Sequence, residues 1–200
     1  MRPEDQVTPC RCQKGKAEPN WAERAGIPKH YRGWRLDRWE PEQNAMALEL
    51  AWVYATAWPP KPFLVFTGPV GTGKTALAVA IMYEMWGRHH VRSQFWGVTD
   101  LLGVLREAVS AGTEALTGVV SSLRKYPFLV LDDLGAERHT DFGGEQLYAL
   151  INNRYAGEMP TVITSNVTID GLDERISSRI QDFRLSCVEE LSGPDRRRAA

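Results

Sequence analysis

Gly68-Pro69-Val70-Gly71-Thr72-Gly73-Lys74-Thr75 satisfies the pattern G-x-x-x-x-G-K-[ST], a spacing suited to holding phosphate. Glycines let backbone N–H groups converge on phosphate oxygens, and a helix N-terminus behind them adds a positive dipole end. In this string Lys74 is placed to reach β- and γ-phosphates, and the Thr75 hydroxyl to hold Mg²⁺. A second string, Phe128-Leu129-Val130-Leu131-Asp132-Asp133, ends an apolar run in two carboxylates. That is the form of a buried parallel strand whose C-terminal end meets a ligand, a Walker B element. Asp132 then suits the metal, through water, and Asp133 suits polarisation of an attacking water. A third string, Thr161-Val162-Ile163-Thr164-Ser165, ends at Asn166, whose amide can donate and accept beside that water. Each has a plainer reading: a glycine turn, a solvated strand terminus, an asparagine in a turn. The first two strings, in this order and at this separation, favour phosphate chemistry. Asn166 alone is evenly balanced.

Such residues need strand ends to hold them. Apolar runs predict strands over residues 63–67, 91–96, 128–132, 161–165 and 183–188. Helical patterns predict helices over 41–57, 74–86, 99–109, 114–125, 145–155 and 173–181. Trp58-Pro59-Pro60-Lys61-Pro62 must end the first of these helices. Thr99 is expected to cap the helix whose Leu101, Leu102, Leu105 and Val109 share a face. Five strands alternating with helices predict an α/β, three-layer sandwich with a five-stranded parallel sheet flanked by helices. Residues 1–38 are polar with little periodicity and read as a short N-terminal extension; residues 39–200 read as the nucleotide-binding domain.

Composition sets outer limits. With 200 residues and 43% hydrophobic content, the chain can bury one substantial core. Its net charge of −1 gives no global basic field, so any nucleic-acid contact must use local patches or an assembly. No apolar run approaches the length of a membrane span, and Met1-Arg2-Pro3-Glu4-Asp5 is no secretory signal. An odd number of cysteines, 3, argues against a disulfide framework and for a reducing, cytoplasmic setting.

Several strings resemble the helicase-loader ATPases of the DnaC type and their transposition relatives of the IstB type, in the initiator group of AAA+ P-loop NTPases. They are Ala25-Gly26-Ile27-Pro28-Lys29-His30-Tyr31-Arg32, the phosphate loop, and Leu131-Asp132-Asp133-Leu134-Gly135-Ala136-Glu137. Leu150-Ile151-Asn152-Asn153-Arg154-Tyr155, Pro160 to Asn166, Glu174-Arg175-Ile176-Ser177-Ser178-Arg179-Ile180 and Ser192-Gly193-Pro194-Asp195-Arg196-Arg197 follow in the family's order. The resemblance implies ATP as nucleotide with Mg²⁺, hydrolysis stimulated by assembly or DNA, and self-assembly into a ring or spiral on single-stranded DNA. It implies Asn166 as sensor 1 and Arg179 as an arginine finger reaching a neighbouring subunit's γ-phosphate, with Arg175 second in rank. It implies Arg196 or Arg197 as sensor 2, and Ile27 and Tyr31 as walls of the adenine pocket. A solvated helix face and a basic tail are the plainer readings of these arginines.

DNA contacts are implied for Ser93 to Arg106 and for Lys125 or Arg154, although Phe95 and Trp96 read more simply as core. Cys10-Arg11-Cys12 resembles the last pair of a zinc cluster in many relatives; the preceding C-x-x-C pair is missing, Cys187 reads as core, and no zinc is expected. The role implied is loading a replicative helicase, or alternatively helping a transposase. A P-loop small-molecule kinase and a nucleotide-gated adaptor are weaker alternatives.

Overall fold

In the computed structural model, which describes residues 20–39, 44–136 and 141–196, the apolar run Phe63–Thr67 forms strand β1, every residue of it buried. A short helix, α1 (Trp21–Arg24), and a longer one, α2 (Ala45–Thr56), precede it. After it come α3 (Lys74–His89), β2 (Ser93–Gly97), α4 (Val98–Ala111), α5 (Thr113–Lys125), β3 (Phe128–Leu134), α6 (Asp141–Ala156), β4 (Thr161–Ser165), α7 (Glu174–Ile180) and β5 (Ser186–Glu190). The five strands make one parallel sheet in the order β2-β3-β4-β1-β5. The strand that comes fourth in sequence is therefore inserted between the phosphate-loop strand and the Asp-Asp strand. That order decides which side chains meet at the carboxyl edge.

Alternation along the strands builds two cores. Leu64, Phe66, Phe128, Val130 and Val162 face α2 and α3; Phe63, Val65, Leu129, Leu131 and Ile163 face the side of α4 to α7. The result is the expected three layers. On α2, Ala47, Ala51 and Ala55 form a buried small-residue stripe at helical spacing, and α2 packs on α3. Trp21, Ala25, Ile27 and Leu36, from the stretch assigned on sequence to an extension, lie in this same buried cluster. No helix of the described residues is long and apolar enough to cross a membrane.

Several boundaries differ from the sequence reading, each for a local reason. Thr99 does not cap α4: the chain passes from β2 through Gly97 straight into the helix, so Thr99 lies inside its first turn. Val91 is not in β2, because its N–H closes onto the Met85 carbonyl at the end of α3. The last strand begins at Ser186 rather than Phe183, because the Leu185 and Ser186 N–H groups bond back to the Asp182 carbonyl and hold a turn. Phe183 is left 82% exposed by that turn. The helix expected from Pro41 starts at Ala45, and Pro41 to Gln43 lie outside the described residues.

Candidate functional site

Strand β1 and helix α3 are joined by the phosphate loop, and the loop is shaped by what packs against it. Gly71 and Gly73 both take positive φ, 83° and 105°, a region that favours glycine. A Cβ on Gly71 would lie 1.9 Å from the Asp195 carboxylate, and one on Gly73 would lie 2.4 Å from the Trp39 ring. Helix α3 begins at Lys74, so its first N–H groups face the loop. The buried Lys74 ammonium donates to the Gly68 and Pro69 carbonyls, both at 2.7 Å. It lies along the loop, where it can exchange those acceptors for phosphate oxygens.

The carboxylates arrive from β3. Pairing with β4 runs Leu131↔Ile163 and then Leu134↔Ser165, so β3 carries one extra residue across this interval. Such a bulge re-aims side chains, and here it turns Asp132 and Asp133 out at the carboxyl edge, with Asp133 at a φ of 65°. Thr164 ties the bulge down: its hydroxyl donates to Asp132 Oδ1 at 2.6 Å and accepts from the Asp133 N–H at 2.9 Å. Asn166, one strand nearer the loop, donates from Nδ2 to Asp133 Oδ1. Burial raises the Asp132 pKa, against hydrogen bonds from Thr164 and Thr75 that favour the ionised form; neighbouring Asp133 raises it further and Lys74 opposes. Thr75 and Asp132 thus form a hydrogen-bonded pair of hard oxygen donors. That set fits Mg²⁺, which takes few protein ligands and completes its octahedron with water and phosphate. Among the described residues there is no cluster of three or more His, Cys, Asp or Glu side chains suited to a metal by themselves.

These groups line one cleft of about 210 Å³. Its polar half carries Lys74, Thr75, Asp132, Asp133 and Asn166; its aromatic half carries Tyr31, Trp34 and Trp39. Arg196 joins them, with its guanidinium 4.5 Å from the centre of the Trp39 ring and its N–H bonded to the Gly71 carbonyl at 3.0 Å. Reciprocal bonds between Asn44 and Ser192 (3.0 and 2.9 Å) pin this returning segment.

The other candidate residues are distributed as follows. Tyr31 lines the cleft, whereas Ile27 does not: it is 1% exposed and belongs to the core. Arg197, Cys10 and Cys12 lie outside the described residues, and Cys187 is half-buried in β5. Arg179 is not among the cleft's lining residues. It is held on α7 by Asn152 Oδ1 (2.6 Å), the Tyr148 hydroxyl (2.9 Å) and the Arg175 carbonyl (3.0 Å). Arg175 pairs with Asp173, and both guanidiniums lie over the Tyr148 ring. Lys125 and Arg106 are exposed, and Phe95 is core, as its aromatic character suggested.

Arg154 cannot contact DNA. It is fully buried, donating to Thr161 Oγ1 and to the Leu123, Tyr126 and Pro160 carbonyls. Burial lowers its pKa to about 10, which leaves it a cation near neutrality.

Sequence reasoning missed Thr164, Trp34 and Trp39. The threonine's role depends on the bulge, which no string announces. The tryptophans sit in an aperiodic stretch, where only their clustering beside Tyr31 offered a signal.

The family model for IstB-like ATP binding proteins matches residues 50–185. The uncharacterized protein YqaM of Bacillus subtilis is 32% identical over 128 residues, which is 60% of this chain and 40% of that protein. Rv3427c of Mycobacterium tuberculosis, whose name places it in an insertion sequence, is 31% identical over 106 residues, 52% of this chain and 40% of that one. The chain thus spans well under two thirds of the length of these curated relatives. A crystal structure of the DnaC helicase loader superposes with a TM-score of 0.73 at 27% identity, covering 82% of this chain and 100% of that one.

Proposed function

This chain belongs to the IstB-like ATP binding protein family, and from that premise we propose that it hydrolyses ATP at the β1–β4–β3 edge to load a replicative helicase onto single-stranded DNA. It is an AAA+ P-loop ATPase by family and fold. The observation that carries assembly-dependent hydrolysis is the separation of Arg179 from its own cleft, and the likeness to the DnaC helicase loader supports the helicase as partner. Every other polar group suited to hydrolysis gathers around the loop, whereas Arg179 is held in place elsewhere by Asn152 and Tyr148. A cation so placed suits a γ-phosphate bound by a second copy of the chain.

In this mechanism the loop amides and Lys74 hold the β- and γ-phosphates, while Trp34, Trp39 and Tyr31 enclose the base. Thr75 and Asp132 would hold Mg²⁺, which supplies charge neutralisation across the phosphates. Asp133 orients a water for in-line attack and accepts its proton. Asn166, bonded to Asp133, fixes that carboxylate and the water together. Arg179 of an adjoining copy stabilises charge on the transferring group.

The transposition-helper reading stays in view because of the insertion-sequence relative. It differs in the partner and shares all of this chemistry; pull-down against a replicative helicase and against a transposase separates the two. A small-molecule kinase would have no use for an arginine set outside the cleft.

The test is ATP turnover measured across protein concentration, with and without single-stranded DNA, for the parent and for Arg179→Ala. Expected is a cooperative rise in the parent, lost in the variant, with ATP affinity retained. Turnover linear in protein and indifferent to Arg179 would refute the trans-acting assignment.

A further inference from the structure

Residues 191–196 run along the phosphate loop and end on its aromatic half. The Leu191 N–H donates to the Thr67 carbonyl at 2.8 Å, where β1 enters the loop. A Cβ on Gly68 would lie 2.0 Å from the Leu191 carbonyl oxygen, so the two backbones touch there. Further on, the Arg196 N–H donates to the Gly71 carbonyl at 3.0 Å. From that anchor the Arg196 guanidinium lies over the Trp39 ring, 4.5 Å from its centre. The edge of the same ring rests on Gly73, 2.4 Å from the place a Cβ would take. Arg196 and Trp39 thus grip the loop on either side of Thr72, immediately before Lys74.

That placement bears on which end of a nucleotide Arg196 serves. Lys74, Thr75, Asp132 and Asp133 form the phosphate half of the cleft, whereas the Arg196 cation lies on an indole face in the aromatic half. A planar guanidinium on tryptophan is a favourable pairing, and a cation that served phosphate would have to give it up. The two tryptophans of this half also differ. Trp34 is 41% exposed and tilted 57° to Trp39, whereas Trp39 is 6% exposed, with Gly73 against its edge and Arg196 over its face. Trp39 is therefore the fixed wall, and Arg196 is one of the groups that fix it.

We infer that Arg196 is a positioning residue for the nucleotide base: stacked on Trp39, it holds the indole against Gly73 as the rigid wall on which the base seats. It divides the work of the two cations, Lys74 for phosphate and Arg196 for the base. Because its own N–H fixes Gly71, it also joins the base wall to the loop. The inference rests on the reading of this cleft as the ATP site.

The test compares two ligands by isothermal titration calorimetry of the full chain with Mg²⁺: the β,γ-methylene analogue of ATP, and inorganic tripolyphosphate, which has neither base nor sugar. Arg196→Ala should bind the analogue about tenfold more weakly, the order expected of a desolvated cation–π contact. Its affinity for tripolyphosphate should stay within about twofold of the parent. A merely structural loss would weaken both ligands alike. In a Trp39→Leu background, Arg196→Ala should cost the analogue no more than about a further twofold, because its partner is already gone. Should Trp39→Leu fail to fold, as circular dichroism would show, the two-ligand comparison in Arg196→Ala still decides. Equal loss of both ligands would make Arg196 a phosphate contact and overturn the inference. Parent-like binding of the analogue by Arg196→Ala would overturn it alone. Failure of the parent to bind the analogue would overturn the ATP site as well.

Discussion

Thr164 holds Asp132 and the Asp133 backbone together with a single hydroxyl, and Asn166 reaches Asp133 from the same strand. Asp133 is thus held through both its backbone N–H and its carboxylate, which suits the water-orienting role proposed for it. Asp133→Asn keeps the shape and removes the basicity. Turnover should fall by about 10²-fold or more, while nucleotide affinity stays within a few-fold; single-turnover hydrolysis and a nucleotide titration separate the two. The phosphate loop and the paired aspartates were legible because their spacing is itself the chemistry. Thr164 was not legible, since its function arises from the shift between Leu131 and Leu134 against β4. Ile27 and Tyr31 were singled out together. Backbone direction turns one into the core and the other into the cleft.

Elements were easier to recognise than to bound. All five strands and the helices flanking them were visible as apolar runs of the right length, but their ends are set by hydrogen bonds made in three dimensions. Asp182 shows how. Its carboxylate accepts from Arg184 (2.7 Å) and from the Tyr155 hydroxyl (2.7 Å), tying α6 to the turn that delays β5. Those bonds, Arg184 foremost, hold its carboxyl well below the ordinary carboxylate range. A depressed folded-state pKa contributes stability that is present above the unfolded value and lost as pH falls toward the folded one. Urea midpoints should therefore drop below about pH 4 in the parent, and Asp182→Asn should flatten that acid limb. Arg154 is the stronger brace, joining the end of α5 to the start of β4. Arg154→Met would fill the space and orphan its carbonyl acceptors, lowering unfolding free energy by about 3 kcal/mol or more. An unchanged denaturant midpoint would show that water takes over those bonds. The family resemblance implied DNA contact at Lys125 or Arg154, and only packing reveals that Arg154 is buried.

At the scale of the whole molecule, the proposed mechanism requires copies to meet before the site is complete. Lys74→Ala should lose nucleotide yet still present Arg179, whereas Arg179→Ala should bind nucleotide yet offer no finger. Neither should turn over alone, and an equimolar mixture should recover a substantial part of the parent rate. A mixture as silent as its components would argue that Arg179 works within its own chain. Saturating nucleotide at about 100 times its Kd should stabilise the parent by about 2.7 kcal/mol, raising Tm by roughly 5–10 °C at this chain length, and should leave Lys74→Ala unmoved.

The stitch between Asn44 and Ser192 spans 148 positions and lies beside the phosphate loop. Strand β1 has as its sheet neighbours β4 and β5, both from late in the sequence. During synthesis, the loop motif therefore leaves the ribosome long before anything can hold its strand. Nucleotide cannot serve as an early folding template here, because its binding edge is assembled last. Distant pairings of this kind slow folding, so newly made chains should acquire ATP protection late and all at once, when residues 186–196 dock.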